Sequence, residues 1–102
     1  MTRIDQLQRL IALDPSDPLA RYSLGLEYLS QQRPDEAIAA FDAALAADAK
    51  YSAAFYHKAR ALLMAGRAAD ARETLQSGQA VARAAGDWHA AGEMQSLAEG
   101  IV

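Results

Sequence analysis

The sequence predicts an all-α protein built from antiparallel helix hairpins laid side by side. Three observations lead there. Apolar residues recur at spacings of three and four, the period of one helix face. Short Pro-, Gly- and Asp-containing breaks interrupt them. The pattern also repeats after about 34 residues, the length of a two-helix unit. Tyr22, Leu29, Arg33, Ala37 and Phe41 map forward onto Tyr56, Leu63, Arg67, Ala71 and Leu75. Ile38, Phe41, Leu45 and Asp48 map back onto Ile4, Leu7, Ile11 and Asp14. A single hairpin cannot bury its apolar stripe, so a repeated one implies a stack.

The first helix is expected from about Thr2 to Leu13, with Ile4, Leu7, Leu10 and Ile11 on one face. Asp14-Pro15-Ser16-Asp17-Pro18 ends it, because a residue before proline is pushed out of the helical region. Asp17 then caps a second helix, about Pro18 to Gln31, with proline in the first turn, where no amide is lost. Gln32-Arg33-Pro34 is the turn, and Asp35-Glu36 put negative charge at the start of a third helix, about Asp35 to Ala47. Ala37, Ile38, Phe41, Ala44 and Leu45 are its buried stripe. A fourth helix spans about Ser52 to Ala65 and stops at Gly66. A fifth runs from about Ala68 to Ala84, extended because no proline ends it. Gly86-Asp87 breaks the pattern, and a sixth helix, about Trp88 to Glu99, is expected as a terminal cap with Trp88 plugged into the core.

The stretch from Pro18 to Lys50 carries a family resemblance. Leu24-Gly25, Tyr28, Ala37, Phe41 and Ala44 resemble the tetratricopeptide signature, and Leu13-Asp14-Pro15 is similar to the Asp-Pro that closes such a repeat. Phe55, Ala59, Leu62, Gly66, Ala71 and Leu75 continue it, while Lys58 stands where Leu is usual and Gln32 where Gly is usual. The resemblance covers residues 2–85. It implies a right-handed α-solenoid of about two and a half repeats, one domain over 1–102. Residues 2–17 form a half-repeat helix, 18–51 and 52–85 the two repeats, and 87–99 the capping helix.

Composition narrows the function. The chain has no cysteine, which removes disulfides, thiolate metal sites and thiol nucleophiles. A net charge of −3 with dispersed arginines argues against nucleic acid. The charged start and the lack of a long apolar run argue against a leader or a membrane span and for a cytoplasmic protein. His57 and His89 stand alone, the glycines form no phosphate loop, and no acidic pair stands out, so neither an enzyme nor a cofactor is expected. The reading is instead an adaptor for another protein. The first helix of each pair lines the concave side of such a stack. Leu19, Tyr22, Leu26, Leu29 and Ser30 of the second helix face it, with Ala53, Tyr56, His57, Arg60, Leu63 and Met64 of the fourth. Tyrosine, arginine and methionine suit an apolar or amphipathic peptide or helix. The resemblance also raises a basic carboxylate clamp, but Tyr22, Leu26 and His57 stand at those positions. The alternative is a homodimer formed through the same surface or through the last helix.

Overall fold

The computed structural model describes residues 1–102 and contains six helices and no strand. They are α1 (Arg3–Leu13), α2 (Pro18–Ser30), α3 (Pro34–Ala47), α4 (Ser52–Met64), α5 (Ala68–Ala84) and α6 (Trp88–Glu99). Thr2 lies outside α1 and caps it. Its hydroxyl accepts from the Asp5 amide at 3.1 Å while the Asp5 carboxylate accepts from the Thr2 amide at 3.2 Å. This reciprocal box satisfies two of the amides a helix start leaves free. Pro34, expected in a turn, is the first residue of α3, where its missing N–H costs nothing.

Two kinds of turn connect the helices. After α2, α4 and α5 the helix closes with the same bond, from Arg33 N to Tyr28 O, Arg67 N to Leu62 O, and Asp87 N to Ala82 O. This closure needs one residue in the left-handed region, supplied by Gln32 (φ 58°), Gly66 (φ 77°) and Gly86 (φ 73°). Gln32 is the residue the sequence puts in place of glycine, and it holds this conformation at a cost of about 1 kcal/mol. The other kind follows α1 and α3, where Asp14 and Asp48 accept from the amides of Ser16 and Lys50 two residues on.

The packing order is simple. Each helix lies against the next, and in addition α2 touches α4 and α4 touches α6. Nothing comparable joins α1 to α3 or α3 to α5. The even-numbered helices therefore form the tighter, inner layer and the odd-numbered ones the splayed outer layer. The chain's shortest extent, 18 Å, is that of two helices in depth. One contiguous core runs from Leu29 and Phe41 through Leu62 and Leu75 to Met94. Phe41, Leu62, Leu75 and Met94 are its largest buried side chains, each stabilising the fold by about 1.5–3 kcal/mol.

Small residues decide how closely the layers approach. A Cβ on Gly25 would lie 2.5 Å from Cε1 of the buried Phe41. One on Gly78 would lie 2.5 Å from the sulfur of Met94 and 2.6 Å from Cβ of Phe55. Gly78 thus marks the point where α4 and α6 converge on α5. At the first copy of that repeat position stands Leu10, 52% exposed, because no helix packs on that side of α1. Lys58 is also explained. Its ammonium reaches Asp42 of α3 at 2.7 Å, so a charge link between neighbouring hairpins replaces the apolar contact of the usual leucine.

Gly25→Ala should lower stability by about 1–3 kcal/mol through overpacking against Phe41, although alanine is the better helix former. Gly92→Ala in α6, where a Cβ meets nothing within 4 Å, should instead raise it by about 0.4–1 kcal/mol. Urea denaturation of the two variants checks the opposite signs.

Candidate interaction surface

The candidate face is the inner layer, and its side chains fall into three groups. Leu19 and Met64 are large apolar residues left open to solvent, at 57% and 48%. Tyr22, Leu26, Tyr56 and Leu63 are half-buried and pack their inner edges against the core. Leu29, expected on this face, is 8% exposed and belongs to the core itself. It lies in the same buried cluster as Ile38, Phe41 and Leu62, so it adds little to an open surface. Ser30 and Arg60 are exposed and Ala53 is half-buried.

Between α2 and α4 the joint is aromatic. Tyr22 stacks on Tyr51 with ring centroids 4.9 Å apart, meets His57 edge-on at 5.7 Å, and lies 5.9 Å from Phe41. His57 is itself stacked over Phe41 at 6.2 Å and edge-on to Tyr56 at 5.1 Å. Offset and edge-on pairs are the arrangements favoured by ring quadrupoles. Tyr51, just before α4, is a member that helical periodicity could not reveal, because it lies outside the helix. Burial raises the pKa of Tyr22, with a smaller contribution from Tyr51. Burial also raises that of Tyr51, helped by the nearby carboxylates of Asp17 and Asp48.

His57 is the one polar group in this joint with a buried, unpartnered atom, its Nδ1. Its other ring nitrogen, Nε2, is therefore the one left able to meet water or a partner. Burial lowers its pKa below the ordinary value; Arg60 lowers it further and Glu93 opposes. These causes place Arg60 and Glu93 around the same imidazole.

The structure also brings α6, expected as a terminal cap, to this face. Trp88 does not plug the core: it begins α6 on the solvent side and is 68% exposed. Ala91 and Met94 make the core contact in its place. A cleft of about 340 Å³ separates α4 from α6, lined by Ala53, Tyr56 and His57 on one side and Asp87, His89 and Glu93 on the other. No three His, Cys, Asp or Glu side chains gather where they could hold a metal ion. No helix is long and apolar enough to cross a membrane.

The lowered pKa of His57 gives a pH prediction with a definite sign. The unfolded chain binds this proton near pH 6.5 and the folded one only at lower pH. Stability is therefore complete above that value and falls as pH drops below it, until the folded group also titrates. His57→Gln should lose this limb: melting temperature measured between pH 7 and 5 should fall less steeply than in the parent.

Comparison with known proteins agrees with this architecture. A family model described as tetratricopeptide repeat matches residues 28–94. A tetratricopeptide repeat domain protein from Salinibacter ruber is 32% identical, with a TM-score of 0.76 over 83% of this chain and 86% of that one. A protein of Bordetella parapertussis solved in solution is 29% identical, with a TM-score of 0.86 over 99% and 88% of the two chains. PcrH, solved in complex with the chaperone binding region of PopD, shares the fold at 21% identity and a TM-score of 0.89, over 96% and 74%. A comparison with curated proteins returns no match. With the repeat matched over most of its length and the six-helix stack in place, the chain belongs to the tetratricopeptide repeat family.

Proposed function

We propose that this protein is an adaptor that holds an apolar or amphipathic segment of another protein along its inner face. The observation that carries the reading is the state of that face. Leu19 and Met64 leave about half of their surface in solvent, and Tyr22, Leu26, Tyr56 and Leu63 on the same two helices have one edge in the core and the other in water. Exposed and half-buried apolar side chains on one layer are what a partner helix with leucines at helical spacing covers. Half-buried tyrosines are already ordered by the core, so they lose little conformational freedom on binding. His57 adds a polar contact: with Nδ1 shut in, Nε2 is the ring nitrogen available to the bound segment. Arg60 is the one basic residue among these positions, which speaks against a carboxylate clamp. PcrH bound to a region of PopD is an instance of this fold with a segment of another protein.

Because Tyr22 and Tyr56 also pack against the core, truncating them would mix binding with stability. The exposed residues make the cleaner test. Leu19→Glu combined with Met64→Glu should weaken partner binding by at least about tenfold, the effect of about 1.4 kcal/mol. The helical circular dichroism should be unchanged. Undiminished binding by the folded double variant contradicts the proposal. Sedimentation of the parent at micromolar concentration tests the other occupant of this face: a dimer dissociated by the same two substitutions would make it a self-association surface.

A further inference from the structure

We infer that the α4–α6 end of the inner face is a receptor for an arginine side chain carried by the partner segment. This rests on the reading above that the inner face takes such a segment, and it names the chemistry of one position in it. Two hollows open on either side of Tyr56, the cleft of about 340 Å³ already described and a shallower one of about 670 Å³. Tyr56, His89 and Glu93 line both, Trp88 lines the second, and Asp87 the first. Aromatic faces and carboxylates thus occur together, beside the sulfur-containing side chain of Met94.

The lining holds carboxylates and histidines but no permanent cation, with Arg60 acting on His57 from outside it. Asp87 uses one carboxylate oxygen to accept from the Ala90 amide at 3.1 Å, which leaves the other free. Glu93 has His89 as its ion-pair partner at 3.2 Å, a partner that is charged only when protonated. A cation from outside therefore finds two carboxylates with no resident lysine or arginine to displace. Of the two basic side chains, arginine fits better. Its planar guanidinium stacks on tyrosine and tryptophan and offers a carboxylate two parallel bonds, whereas a lysine ammonium is a compact, strongly hydrated point charge. The same chemistry accounts for a tryptophan left mostly in solvent at the start of α6, where the core makes no use of it.

Trp88 is the only tryptophan in the chain, so its emission reports directly on this end of the face. The probe is a labelled twelve-residue amphipathic peptide with leucines at helical spacing and one arginine, compared with the same peptide carrying neutral citrulline. The arginine peptide should change Trp88 emission saturably. It should also bind about tenfold more tightly than the citrulline peptide by anisotropy, the scale of one charge-assisted hydrogen bond. Glu93→Gln should erase that difference with the fold unchanged. Equal affinity of the two peptides, or binding without a Trp88 response, overturns the arginine receptor. If both peptides then bind equally and both are lost on Leu19→Glu with Met64→Glu, the inner face still holds a segment and only the arginine assignment fails. No binding of either peptide overturns it as well.

Discussion

The closeness of α2 to α3 and of α5 to its two neighbours is the constraint from which the remaining structure follows. At Gly25 the ring of Phe41 occupies the volume a side chain would fill, and at Gly78 the side chains of Phe55 and Met94 do the same. Glycine inside a helix costs about 1 kcal/mol relative to alanine. Burying Phe41 and Met94 completely returns more than that on the usual area scale. Two such contacts, one per hairpin, hold the helices in a fixed order. Only the even-numbered helices can then meet their own kind, and the array bends around them. The inner face is a consequence of that bend.

The division of labour inside the inner layer follows from the same geometry. Leu62 of α4 points into its own hairpin and becomes core, and Leu29 of α2 joins it, although its repeat equivalent Leu63 stays half-buried. Tyr22, Tyr56 and Leu63 are caught between core and water. Aromatic residues tolerate that position, since a ring can bury one edge and leave a hydroxyl wet. His57 is the exception, with a polar atom shut in among rings. It makes the joint between the hairpins sensitive to protonation and fixes which ring nitrogen faces outward.

Most of the fold was legible because periodicity and breakers agree with each other along the chain. Prolines, Asp-capped turns and Gly66 and Gly86 bounded the helices to within a residue or two, and the 34-residue register identified Phe41 and Leu75 as buried equivalents. The face was less legible. Leu29 sits near the edge of the stripe, where a helical wheel cannot tell core from groove. Tyr51 lies in a turn and joins the aromatic cluster only through the packing of α2 on α4. Trp88 is apolar by composition, and in a thin helix the natural guess is a core plug. The small Ala91 and the flexible Met94 take that place, with the Met94 sulfur seated against the bare backbone of Gly78.

The contact between Gly25 and Phe41 can be observed directly by proton NMR. The Hα resonances of Gly25 should be moved well upfield by the ring current of Phe41, with strong nuclear Overhauser effects to its ring protons. Random-coil shifts for Gly25, with no cross-peaks to Phe41, would mean that the two helices do not approach as described, and the inner face derived from their packing would have no foundation.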